Sequence, residues 1–186
     1  MIGLNSGLIG VRRAPTTSSA SGIWTPNEQS LAKRATIWPR NDSYRYYRFA
    51  NFAATSLNNN TIDLLEIELY DGNTKHTGIT CTTSWTFTGG SASNIVDGET
   101  AGSSRAYYSG WSSIRATATI AFDLGSIKPV TYVKIFAMYA QPRFPASFDL
   151  QASINGSTYS TIASVTPGIL NEISAGFIYA SDKIAV

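Results

Sequence analysis

The chain has 186 residues, of which 43% are hydrophobic and 14% charged, with a formal net charge of +2. That length suits one domain plus a tail, and so small a net charge argues against nucleic-acid binding. One cysteine excludes an internal disulfide, and no apolar run approaches the roughly 20 residues of a membrane span.

Residues 1–40 do not read as a folded domain. Met1–Val11 is Gly-rich, and Pro15–Gly22 has nothing large to bury. A short helix is predicted next, with Thr25 as N-cap, Pro26 at the first helical position and Glu28 in the first turn. Lys33 and Arg34 complement its C-terminal dipole, and Trp38-Pro39 ends it. Trp24 and Trp38 flank a segment too small to bury them, so they must dock on the body or on a neighbouring subunit. With Arg12 and Arg13 they are the candidate anchors of an extended N-terminal arm.

From Tyr44 the pattern changes to strands, and residues 41–186 read as one domain. Tyr46–Ala53 is aromatic and alternating. Asp63–Tyr70 alternates with Leu65, Ile67 and Leu69 on one face and Glu66 and Glu68 on the other, before the turn Asp71-Gly72-Asn73. Cys81 and His76 lie in a Thr/Gly-rich connection, and the thiol reads as packed or idle. Thr117–Leu124 should turn Ala118, Ile120, Phe122 and Leu124 inward. Thr131–Tyr139 is a long β-branched and aromatic run. Ser147–Ile154 alternates into the turn Asn155-Gly156, and Tyr159–Val165 answers it as a hairpin arm. The predicted fold is all-β, a jelly-roll β-sandwich behind an extended arm with one short helix.

Three segments carry a family resemblance. Ser93–Thr100 resembles the "A-x-N-x-x-D-G-x-x-T" loop of discoidin-like, galactose-binding-like domains, the coagulation-factor C-type fold. Thr119–Gly125 resembles that family's "I-x-F-D-L-G" strand, and Phe144–Gly156 its "P-x-x-F-x-L-x-G-S-N-D-G" strand and hairpin. Together they cover about residues 44–166. In the family a strand reading "R-Y-x-R-…-E-I-E-x-Y" closes the domain, whereas Tyr46–Phe49 and Leu65–Tyr70 come first here, so the module looks circularly permuted. The arm, through Gly7–Arg13, Gly22–Thr25 and Ile37–Pro39, resembles the start of tailed-phage structural proteins.

The resemblance implies a structural Ca²⁺ held by Asn94 (carbonyl), Asp97, Thr100 and Glu66, since a hard cation needs six to eight oxygens. The bland alternative is that Asp97 caps a turn and Glu66 is solvated. Trp85, Arg105, Tyr107, Tyr108, Trp111, Tyr139, Arg143 and Phe144 lie at or beside loops, as sugar contacts or interface anchors, and Trp111 equally as the family's core tryptophan. There is no nucleophile elbow, phosphate loop or His-rich metal signature, so no enzyme is expected. The resemblance implies a virion component of tail, baseplate or fibre attachment, assembled in the host cytoplasm without a signal peptide. Its expected partners are other virion proteins and copies of itself, with no nucleic acid and no membrane insertion. A host-surface glycan-binding module and a capsid decoration protein are the alternatives.

Overall fold

A computed structural model describes residues 43–54, 60–100, 105–138, 145–167, 171–174 and 178–186, together with Thr25, Asn27 and Glu28. The chain divides into two units, Met1–Asp42 and Ser43–Val186. In the first, Asn27 and Glu28 are helical. The Thr25 hydroxyl accepts from the Glu28 amide at 3.3 Å, and Glu28 Oε2 accepts from the Thr25 amide at 2.9 Å. Each side chain satisfies a backbone donor that the helix start leaves over, the reciprocal arrangement of a capping box. The anchor candidates Arg12, Arg13, Trp24 and Trp38 lie outside the described residues.

The second unit is an all-β sandwich. Its first sheet has the order β10-β9-β1-β7-β5, built from Ser160–Val165, Phe148–Ser153, Ser43–Ala50, Ile120–Pro129 and Thr80–Thr83. The second runs β11-β12-β8-β3-β4, built from Asn171–Ser174, Ile178–Ala180, Tyr132–Met138, Glu66–Asp71 and Thr74–Lys75. A last strand, β13 (Ile184–Ala185), also pairs with β8, so the C-terminal segment extends this sheet. A separate pair joins β2 (Thr61–Leu64) to β6 (Ala106–Ser109). Every pairing among the described residues is antiparallel.

Alternation works as expected in the first sheet. Tyr47 and Phe49 of β1, Ile120, Phe122 and Leu124 of β7, and Phe148, Leu150 and Ala152 of β9 are all buried in one core. Ile67 and Leu69 of β3 and Val133, Ile135 and Ala137 of β8 meet them from the second sheet. Phe49 lies 5.1 Å from Phe122 and 4.1 Å from Phe148 between ring centroids, so β1 is locked to both neighbours through one side chain. Burying each such ring contributes about 1.5–3 kcal/mol. The buried Tyr47 hydroxyl donates to the Lys128 carbonyl at 2.7 Å, which removes the cost of its desolvation.

Three expectations need correction. Asp63–Tyr70 is not one strand: the chain breaks at Leu65, and the two halves pair with different partners. Ile62 and Leu64 face the main core, Leu65 joins Phe136 and Ala180 in a small second cluster, and Ile67 and Leu69 return to the main core. Leu65 is the extra residue that shifts the parity, as in a bulge. Glu66 and Glu68 are consequently buried, which removes the solvated alternative for Glu66. Finally, Thr80–Thr83 is the edge strand β5 rather than a connection, and it turns Cys81 into the core. Burial pushes that thiol up to about 12, which leaves it protonated and inert at neutral pH.

Candidate functional site

Two regions gather the residues singled out from the sequence. The first is a shallow cleft of about 160 Å³ on the flank of β3, lined by Glu66, Glu68, Lys75, His76, Asp97 and Gly98 among others. The positive φ of Gly98 turns the loop after the 3-10 turn Ala92–Ile95 back onto the strand. The Gly98 amide then donates to Glu66 Oε2 at 3.1 Å. Asp97 Oδ1 accepts from the Glu99 amide at 2.9 Å, so Asp97 does cap its turn.

Burial raises the Glu66 carboxyl to about 7, against the Gly98 hydrogen bond and Lys75, while Asp97 and Glu68 push it further up. Glu68 is answered directly: Lys75 Nζ reaches Oε1 at 2.9 Å and the Tyr70 hydroxyl donates to Oε2 at 2.7 Å. The β3–β4 hairpin makes this contact by setting Tyr70 opposite Lys75. No local sequence rule joins Glu66 and Glu68 to a basic partner. The Asp71-Gly72-Asn73 turn was the one signal that could have revealed Lys75. His76 Nε2 donates to the Pro129 carbonyl at 2.7 Å, which ties the rim of the cleft to the end of β7.

Of the four residues matched to a Ca²⁺ set, Glu66 and Asp97 line the cleft and Asn94 and Thr100 do not. The Asn94 side-chain oxygen is held by the Ser91 amide at 3.0 Å. Two carboxylates beside a third, Glu68, with one lysine among them, fit a hard cation by charge. Among the described residues no group of three or more His, Cys, Asp or Glu side chains surrounds one point, so main-chain and hydroxyl oxygens would have to complete the shell.

The second region lies around β6. Trp111 begins a helical turn, Trp111–Ile114, whose backbone amide donates to the Asn60 carbonyl at 3.0 Å. Its side chain is wholly buried, in edge contact with Phe52 at 5.2 Å and Trp85 at 5.3 Å. Trp111 is therefore a core residue and not a sugar contact. Trp85 packs half-buried beside it, and neither indole N–H has a hydrogen-bond partner among the described residues.

Arg105, Tyr107 and Tyr108 remain partly exposed. The Arg105 guanidinium lies 4.5 Å from the Tyr107 ring centroid, and its Nη1 is 3.4 Å from Oδ2 of the buried Asp63. Asp63 is placed there by β2, which sets it opposite Tyr107. The Tyr107 ring covers Gly89, where any Cβ would collide with it, and a Cβ at Gly90 would strike the Arg105 carbonyl. Two glycines thus let the Thr88–Gly90 backbone close against β6, with the Thr88 amide donating to the Tyr107 carbonyl at 2.8 Å. Arg105 and Tyr107 are legible from sequence as residues at or beside a loop, but no local rule joins them to Asp63 or to the glycines that seat the ring. Tyr139, Arg143 and Phe144 lie outside the described residues.

The family model described as F5/8 type C domain matches residues 78–179, more than half of the chain. No curated protein and no solved structure matches it.

Proposed function

Because the chain belongs to the F5/8 type C domain family, we propose that it is a non-catalytic recognition module whose ligand face is the Arg105–Tyr107–Tyr108 surface, and that the ligand is a saccharide. The observation that carries this is the Arg105 guanidinium set between a buried carboxylate and the Tyr107 ring. A guanidinium fixed in this way offers a rigid fork of donors, and a seated tyrosine offers a flat face to sugar C–H groups. Trp85 and Trp111 serve this face from behind, as the packed layer that holds β6 in place. Replacing Arg105 or Tyr107 by alanine should weaken glycan binding at least about tenfold, measured by glycan array and then calorimetry, with thermal stability followed in parallel. A flat array for the parent protein would overturn the reading.

A second reading is favoured by the pattern of residues 7–13 and 22–39, which resembles the start of tailed-phage structural proteins. In it the chain is a virion component: residues 1–40 dock it onto other virion proteins or copies of itself, and residues 41–186 present the sandwich. Deleting residues 1–40 should then abolish incorporation into particles, scored by immunoblot of purified virions, while the sandwich keeps its far-ultraviolet spectrum. Normal incorporation of the truncated chain would remove this reading and leave the first intact.

Two finer points go with these proposals. The family match begins at residue 78, yet β1 and β3, which precede it, hold interior positions in the two sheets. That arrangement supports a circular permutation, in which strands that close the domain elsewhere come first here. A Ca²⁺ ion held by Glu66 and Asp97, with oxygens of Asn94 and Thr100, would brace the loop at 94–100 and take no part in ligand contact.

A further inference from the structure

The outer face of the first sheet carries a second constellation. β1 turns Tyr47 and Phe49 inward, so Tyr46 and Arg48 face outward at its centre. β9 likewise turns Phe148, Leu150 and Ala152 inward and shows Asp149 and Gln151 on the same outer side. The register sets Arg48 opposite Gln151 on one flank and Ala121 on the other. Arg48 Nε donates to Gln151 Oε1 at 2.6 Å, and Gln151 Nε2 donates in turn to Thr161 Oγ1 at 3.1 Å. So oriented, the guanidinium lies 4.0 Å from the Tyr159 ring centroid.

The neighbouring charges are dealt with differently. Arg45, 4.9 Å from the Tyr46 ring centroid, is gripped by Asp123 through two hydrogen bonds of 2.8 Å, so its charge is cancelled in place. Asp149 accepts from Asn51 at 2.8 Å and from Ser164 at 2.9 Å. Arg48 is held by a neutral amide and a ring, and no carboxylate among the described residues forms an ion pair with it. Burial raises the pKa of Tyr159; Arg48 opposes that rise, and Tyr46 and Asp123 reinforce it. These side chains therefore act on one another across a single patch.

An occupant that suits this patch must bring a planar anion to the terminal N–H edge of Arg48 and apolar C–H faces to the rings of Tyr46 and Tyr159. A simple inorganic anion would use the arginine and leave the rings idle, and a neutral sugar would leave the charge unanswered. We propose that the outer face of the first sheet, centred on Arg48, Tyr46 and Tyr159, is a binding surface for a carboxylate-bearing saccharide. It is independent of the Arg105–Tyr107 surface, which stands on the β2–β6 pair and not on this sheet.

The test uses the full chain with polygalacturonate and its carboxyl-reduced counterpart in affinity electrophoresis and calorimetry. The parent protein should bind polygalacturonate at least about tenfold more tightly than the reduced polymer, and Arg48→Gln should erase that preference. Arg48→Lys, which keeps the charge without the fork, should recover only part of it. Lys183→Ala, which removes an exposed positive charge outside both surfaces, should leave it unchanged, which separates a site at Arg48 from a general effect of net charge. Both Arg48 variants should keep the parent near-ultraviolet spectrum, as expected for a half-buried outer-face residue. No binding by the parent, equal binding of both polymers, or an Arg48→Gln protein that binds like the parent would overturn the proposal. So would a parent dimer, seen by sedimentation, that Arg48→Gln dissociates without any change in polymer binding, since the occupant would then be a second copy of the chain.

Discussion

Trp111→Ala is expected to lower the unfolding free energy by about 3–5 kcal/mol, since Trp111 is the largest fully buried side chain among the described residues. The indole is fully buried and touches Phe52 and Trp85, and through Phe52, 5.9 Å from Phe148, it reaches β9. Truncation would open a cavity that the surrounding strands cannot close, because their positions are fixed by backbone pairing. Trp111→Phe should cost much less. It keeps a ring in the same space, and it removes an indole N–H that is buried without an acceptor among the described residues. Urea unfolding followed by circular dichroism measures both. A Trp111→Ala protein within about 1 kcal/mol of the parent would show that the residue does not carry the core. The pair of variants also separates packing from recognition: any fall in glycan binding by Trp111→Ala should follow the unfolded fraction and not the affinity of the folded one.

Glu66→Gln should change how stability depends on pH. In the unfolded chain the carboxyl loses its proton near its ordinary 4.5, and in the folded chain near 7. Between those values the folded state holds the extra proton, so raising the pH favours unfolding across that window and has no further effect through this group above it. Glu66→Gln removes the penalty while its side-chain oxygen can still accept from the Gly98 amide. At pH 8, in the presence of a chelator, the variant should be more stable than the parent by about 1–3 kcal/mol. Near pH 4 the two should agree. The opposite tendency of Asp123, whose pKa is lowered chiefly by its hydrogen bond to Arg45, is common to both proteins and cancels in the difference. Ca²⁺ gives a second reading of the same pair: it should raise the melting temperature of the parent and leave that of Glu66→Gln unmoved. A parent and variant with parallel pH profiles would show that Glu66 ionises in the folded state as freely as in water.

Sequence alone exposed the parts of this fold that obey a period. β7 and β9 were legible because Ile120, Phe122, Leu124 and Phe148, Leu150, Ala152 alternate against polar residues without interruption, and both faces of those strands keep one environment. β5 was not, because Thr80–Thr83 sits at a sheet edge and contributes one inward residue, Cys81. Leu65 defeated the period itself: a one-residue parity shift looks, in sequence, like uninterrupted alternation. The loop at 94–100 and its partner Glu66 could be linked only through a family likeness, since no local rule joins residues that far apart. The Arg48–Gln151–Thr161 chain was invisible for the same reason. Each of its members is an ordinary polar strand residue, and the pairing of β1 with β9 and β9 with β10 is what makes them neighbours.

The interior place of β1 has a consequence for how the protein is made. Residues 43–50 leave the ribosome before their partners, residues 120–129 and 148–153. Until those have been synthesised, an apolar strand waits with both hydrogen-bonding edges open, the state most prone to pair with another nascent chain. Arg45 and Arg48 would place charge on the waiting strand, as gatekeeper residues do. Removing them together should reduce soluble yield more than it reduces the stability of chains that have already folded.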